Sequence, residues 1–212
     1  MGNTGVNTQV RASDQEPAEI YFKDFDNNGS VDPLFCFYIQ GKSYPYITRD
    51  ELLDQLGIFR KRFTTYKSYA DITLPDLFKP EELASFRHAR ANRMETTFFK
   101  SGSDGKFHIS ALPVQAQYSP VCAIHILDYD KDGNEDVLLC GNINQAKLRF
   151  GKWDANYGVL LKGDGKGNFQ YISQVDSGFD LRGDVRSVVE INKTLLFGIG
   201  QQPVKAYKLR DR

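Results

Sequence analysis

The stretch Ile20–Cys36, IYFKDFDNNGSVDPLFC, returns at Ile124–Cys140 as IHILDYDKDGNEDVLLC, 104 residues on (124 − 20) and without a gap. Ile20, Asp24, Asp26, Gly29, Asp32, Leu34 and Cys36 meet identical residues, and Phe25 meets Tyr129. In both copies strand-like runs flank a loop of Asp, Asn and Gly, which is the layout of a β-hairpin. A second pair interleaves with the first. FFKSGSDGKFHIS from Phe98 and LLKGDGKGNFQYIS from Leu160 align at an offset of 62 (169 − 107), anchored on Lys100/Lys162 and Phe107/Phe169. Each is an apolar run, a Gly/Asp/Lys turn and then Phe opening another run, again a hairpin. VVEINKTLLFG is a fainter third copy, with Leu196-Phe197-Gly198 against Leu139-Cys140-Gly141 and the loop shortened to Glu190-Ile191-Asn192-Lys193. The repeating unit is therefore about 60 residues, and the first interval holds one unit plus an insertion.

The insertion spans about 48–93, where the pattern changes from period two to helical spacing. Thr48 and Glu51 form a capping-box signature ahead of Leu52, Leu53, Leu56, Phe59 and Phe63 on one face. Asp50 and Glu51 at the start, and Arg60, Lys61 and Arg62 at the end, complement the dipole of a helix over this stretch. A turn follows at Pro75–Phe78, and a second helix is expected from Pro80-Glu81-Glu82 to the Arg87, Arg90, Arg93 series. Those arginines suit a solvated face better than a ligand contact.

Composition bounds the function. The 212 residues carry 27 Lys+Arg and 27 Asp+Glu, with 15 Phe, 11 Tyr and 18 Gly beside 2 Met and 1 Trp. Zero net charge and a pI near 6.8 argue against a nucleic-acid binder. No apolar run approaches the ~20 residues of a membrane-spanning helix. The aromatic and Gly bias points to short strands joined by tight turns. Cys36, Cys122 and Cys140 lie in strand-like surroundings and form no CxxC pair, so all three are expected as buried structural thiols rather than as a disulfide or a metal site. The N-terminal MGNTGVNTQVRASDQEP lacks the basic-then-apolar layout of a signal peptide and reads as polar loop, as if the chain were part of a longer protein.

The acidic loops carry the main chemical signal. Asp24-x-Asp26-x-Asn28-Gly29-x-x-Asp32 and Asp128-x-Asp130-x-Asp132-Gly133-x-x-Asp136 crowd oxygen donors that repel one another without a cation. Calcium takes six to eight oxygens at about 2.3–2.6 Å, a demand that one tight loop and a later carboxylate can meet. Positions one, three and five offer side-chain oxygens, and Gly at six permits the reversal. Ser30 and Asn134 at seven offer backbone carbonyls, and Asp32 and Asp136 close the sites. These are not EF-hands: position twelve holds Phe35 and Leu139 in place of Glu, and the flanks are strand-like. With four Asp against three Asp and Asn28, the second loop is expected to bind calcium more tightly.

Paired strands around DxDxDGxxD, the GDGKGNF hairpin and a unit near 60 residues resemble FG-GAP/VCBS repeats, which build the β-propeller of integrin α-chains and of bacterial surface proteins, including those associated with ASPIC/UnbV domains. The resemblance covers most of the chain outside the insertion. It implies a mainly β fold, a partial propeller of about three four-stranded blades. It makes Asp24, Asp26, Asn28, Asp32, Asp128, Asp130, Asp132 and Asp136 calcium ligands, places the protein extracellularly, on the outer cell surface or in the periplasm, and leaves the third repeat without metal. About 165 residues remain after the insertion, fewer than the four to eight blades of a closed ring, so the edges await the rest of a longer polypeptide, the insertion or a second copy.

The functional expectation is a non-catalytic, calcium-binding recognition or adhesion module for a glycan or protein ligand. The alternative is a polysaccharide-active hydrolase or lyase using paired carboxylates, but the acidic residues are already explained by metal spacing, and His88, His108 and His125 fall in no HExxH or GxSxG context. Trp153 and Tyr157 form either a sugar-stacking platform on a loop or packing under the next strand. Arg182-Gly183-Asp184 matches an integrin-recognition tripeptide, and chance is the better account of it.

Overall fold

The computed structural model describes residues 1–209. The chain is mainly β, with four antiparallel sheets, none closed into a barrel. It divides into two compact units: Gln9–Met94, and Met1–Thr8 together with the chain from Glu95 onward.

In the Gln9–Met94 unit, β1 (Ala18–Lys23) and β2 (Asp32–Ile39) form the first acidic hairpin, and β3 (Lys42–Pro45) extends it. Helices α1 (Arg49–Gln55), α2 (Leu74–Leu77) and α3 (Pro80–Leu83) follow, then β4 (Arg87–Ala91), giving the sheet order β3-β2-β1-β4. The capping box at α1 is formed, with Glu51 N–H donating to Thr48 Oγ1 at 3.3 Å and Thr48 N–H to Glu51 Oε2 at 3.0 Å. The helix stops at Gln55, before Gly57, and a 3-10 turn at Gly57–Phe59 carries the chain on. Arg60, Lys61 and Arg62 therefore close no helix; Arg62 caps carbonyls of the later turn instead, including that of Leu77 at 3.3 Å. The second helix is a single turn, and the arginine series beyond it lies mostly on β4, not on a helix. Ala18↔Ala91 through Phe22↔Arg87 pair along the edge of β1, satisfying backbone groups that an open edge would leave bare. The insertion is thus a series of short helical turns between 49 and 83, joined by irregular chain, and returns as a strand.

The core of this unit explains why so short a helical segment holds. Leu34 and Cys36 from β2 meet Leu52, Leu56, Phe59, Phe63, Leu74, Leu77, Phe78 and Phe86. Phe25, inside the acidic loop, stacks on Phe78 at 4.8 Å and meets Phe86 edge-on at 4.7 Å, which ties the loop into the core.

In the other unit, β5 (Phe98–Ser101) and β6 (Phe107–Ser110) form a two-stranded sheet. Strands β7 (Val121–Leu127), β8 (Asp136–Gly141), β9 (Val159–Gly163) and β10 (Phe169–Ile172) form a four-stranded meander. After α4 (Gln174–Ser177), strands β11 (Val185–Ile191), β12 (Thr194–Ile199) and β13 (Lys205–Lys208) complete a three-stranded sheet. Both hairpin alignments hold at the level of register. Ser101↔Phe107 and Gly163↔Phe169 are matching pairs of the 62-residue repeat, as are Lys23↔Asp32 and Leu127↔Asp136 of the 104-residue repeat. In the third copy Ile191 pairs with Thr194, leaving a two-residue turn in which Asn192 and Lys193 both take positive φ, 49° and 58°.

The middle of the four-stranded sheet is buried on both faces. Leu138, Cys140 and Leu160 pack with Leu195, Phe197 and Ile199 of the three-stranded sheet, whereas Leu139, Val159 and Leu161 pack with Ala116 and Val121. Apolar side chains at consecutive positions are what a doubly covered strand needs. The N-terminal segment is not free loop: Val121 N–H donates to Asn3 O at 2.9 Å and Val6 N–H to Gln117 O at 3.0 Å.

The cysteines separate. All three are free; Cys36 and Cys140 are buried, and burial pushes both thiols up to about 12. Cys122 is exposed, contrary to expectation, because the alternation along β7 turns it, Ile124 and Ile126 outward; its sulfur accepts from Arg186 Nη1 at 2.9 Å.

Candidate metal centre

Each acidic loop starts at the end of a strand and closes on the first residue of the next, so the hairpin register fixes where its carboxylates converge. Asn27 and Lys131 take positive φ, 58° and 62°, as do Gly29 and Gly133 at 88° and 81°. The glycines make that conformation free of Cβ strain. Asp24 Oδ2 accepts from Gly29 N–H at 2.8 Å and Asp128 Oδ2 from Gly133 N–H at 3.0 Å. Asn28 Oδ1 accepts from Ser30 N–H, and Asp132 Oδ1 from Asn134 N–H, both at 2.8 Å. The closing carboxylates reach back identically: Asp32 to Phe25 N–H at 3.0 Å and Asp136 to Tyr129 N–H at 2.7 Å. Backbone donors hold Asp24 and Asp132 below the usual carboxylate range, Gly29 N–H being the main cause at the first and Asn134 N–H at the second, with Lys162 adding to the latter.

Two trios result. Oxygens of Asp24, Asp26 and Asp32 lie within 4.8 Å of one another, and so do those of Asp128, Asp130 and Asp136. Oxygens that share a cation at about 2.3–2.6 Å are at most about 5 Å apart, so both trios meet that condition. The middle carboxylate is the informative one: Asp26 Oδ1 and Asp130 Oδ1 are both buried and lack a hydrogen-bond partner among the described residues. An orphaned carboxylate oxygen is costly, and its recurrence at the same repeat position fits a cation as partner. Asp132 is not part of the second trio; the Asn28 and Asp132 Oδ1 atoms accept from the Ser30 and Asn134 amides within the loop turns.

One residue that the loop pattern does not contain enters the second site. The Lys162 ammonium, on β9, contacts Asp130 Oδ2 and lies 3.0 Å from Asp132 Oδ2. These carboxylates push its pKa up. In sequence Lys162 serves only to anchor the hairpin alignment; the clue to its role is its register, one residue beyond the Val137↔Leu161 pair and so opposite Asp136.

The remaining candidates are engaged elsewhere. Trp153 is half-buried, bridges to Ile143 and donates its indole N–H to Asn7 O at 3.3 Å, while Tyr157 is exposed beneath the Arg182 guanidinium at 5.4 Å. Asp184 of the Arg-Gly-Asp tripeptide is buried, accepting from Asn144 N–H at 2.8 Å and from Arg186 at 3.3 Å. His108 and His125 each meet a carboxylate, Asp104 and Glu190, at 3.1 Å. A cleft of about 600 Å³ opens beside the second loop, lined by Asp128, Tyr129 and Lys131 together with Phe179, Lys193 and Tyr207. No helix among the described residues is long and apolar enough to cross a membrane.

No family model, curated protein or solved structure matches the chain.

Proposed function

We propose that this chain is a calcium-binding, non-catalytic β-propeller repeat module that serves recognition or adhesion at a cell surface, with a glycan or a protein as its ligand. The observation that carries the reading is the pair of orphaned oxygens, Asp26 Oδ1 and Asp130 Oδ1, at equivalent positions of two loops built alike. Asp24, Asp26 and Asp32 would hold one ion, and Asp128, Asp130 and Asp136 the other. The ion supplies charge neutralisation and cross-links the two strands of its hairpin; it performs no chemistry. The four-stranded meander, whose middle strands are covered on both faces, supports a blade-like stacking of repeats. Open sheet edges leave room for further repeats of a longer polypeptide or for a second copy. Loops of this type are often weak, and extracellular calcium at millimolar levels would fill them. The cleft beside the second loop offers a calcium-organised surface for the ligand.

The test is thermal unfolding of the chain in calcium and in chelator. Saturation at about 100 times Kd adds about 2.7 kcal/mol per site, so calcium raises Tm by several degrees, and Asp26→Asn with Asp130→Asn removes the rise. A Tm indifferent to calcium refutes the proposal.

A further inference from the structure

We infer that Lys162 is a tethered cation that competes with a divalent ion at the second loop, so that the first loop, although it carries less charge, is the tighter site. The inference rests on the calcium reading and reverses the order that charge counting gives.

Two differences between otherwise matched loops carry it. First, the Lys162 ammonium contacts Asp130 and sits 3.0 Å from Asp132 Oδ2, so the second loop already has a positive charge among its carboxylates. A divalent ion held by Asp130 must displace that ammonium or bear its repulsion at close range. Among the described residues the first loop has no counterpart, for a topological reason. β9 runs alongside β8 as far as Gly163, whose N–H reaches Asp136, whereas β3 ends at Pro45 opposite Cys36 and never comes level with Asp32. Second, the closing carboxylates differ in what they have left to give. Asp136 accepts from Tyr129 N–H on one oxygen and from Gly163 N–H, at 2.8 Å, on the other. Asp32 accepts only from Phe25 N–H, on Oδ2, and its Oδ1 has no hydrogen-bond partner among the described residues. The same strand β9 therefore brings both the competing ammonium and the second amide.

The experiment is calcium titration of the chelator-stripped chain in single-loop backgrounds: Asp130→Asn leaves the first loop and Asp26→Asn the second. The first loop is expected to bind more tightly. Adding Lys162→Met to the Asp26→Asn background should tighten the second loop about tenfold, since affinity in such loops follows net ligand charge, and leave the first loop unchanged in the Asp130→Asn background. In chelator, Lys162→Met should lower Tm, because the carboxylates lose their counter-charge, while enlarging the calcium-induced rise. A residue of merely structural importance would not produce that crossing. Lys162→Gln, which keeps length and polarity, gives the same directions if the Met variant does not fold. A second loop that binds more tightly than the first, or that ignores Lys162, overturns the inference and spares the calcium reading; binding at neither loop overturns both.

Discussion

Asp136 offers a perturbation whose size follows from the structure without any ion. Its carboxylate is fully buried, and its two oxygens accept from Tyr129 N–H at 2.7 Å and Gly163 N–H at 2.8 Å. Asp136→Ala removes the acceptor of both amides, that of Gly163 inside the protein. An unsatisfied buried amide costs about 1–3 kcal/mol, so the substitution should cost about 2–5 kcal/mol in all. That is a fall of roughly 5–20 °C at about 2–4 °C per kcal/mol. No water relieves the loss cheaply, because the Gly163 backbone lies against the loop; a Cβ there would meet Glu135 O at 2.2 Å. Asp32→Ala removes a single acceptor, from Phe25 N–H, and should cost about half as much. The assay is urea unfolding in chelator, followed by far-ultraviolet circular dichroism, so that calcium contributes nothing. If Asp136→Ala lies within about 0.5 kcal/mol of the wild type, or costs no more than Asp32→Ala, the clasp argument is wrong.

Further tests probe other parts of the account. Thiol labelling of the native chain should modify Cys122 alone at an appreciable rate, with Cys36 and Cys140 reacting only after unfolding; fast labelling of either buried thiol contradicts the packing described. The Asp164 carboxylate, gripped by the Asn168 side chain and by the Asn168 and Lys166 amides, titrates at about 2 in the folded state against 3.8 for the free group. Its contribution to stability is therefore complete above about pH 4 and lost as pH falls towards 2. An NMR titration with a midpoint near 3.8 for Asp164 would remove that contribution. Thr48→Ala removes the hydroxyl that accepts from Glu51 N–H, keeps the residue-48 N–H to Glu51 bond, and should cost about 1 kcal/mol. That loss should appear in the unfolding of the Gln9–Met94 unit; no loss there would show that core packing alone holds the helix.

What the sequence made legible was local. The offsets of 104 and 62 residues predict which positions face each other across the hairpins, and Leu127↔Asp136 and Gly163↔Phe169 follow from them because a turn of fixed length sets register. The capping box at Thr48 is equally local, a matter of three residues. Readings that depended on distant partners went astray. Arg87, Arg90 and Arg93 share helical spacing, yet the open edge of β1, whose partners Phe22 and Glu19 lie 65 (87 − 22) and 71 (90 − 19) residues earlier in the chain, recruits Arg87 and Arg90 into a strand whose side chains are all exposed and hence carry no hydrophobic period. Cys122 looked buried because its neighbours are apolar, but on β7 the outward-facing positions are apolar too. Lys162 could not be assigned to the second loop from composition; only the pairing of β9 with β8 brings it there.

The central claim is that two matched loops each hold one calcium ion. Isothermal titration of calcium into the chelator-stripped chain tests it most directly. The account predicts two ions bound per chain, with Asp26→Asn and Asp130→Asn each removing one, as the two acidic trios require. Absence of calcium binding, or binding that both substitutions leave unchanged, would contradict it.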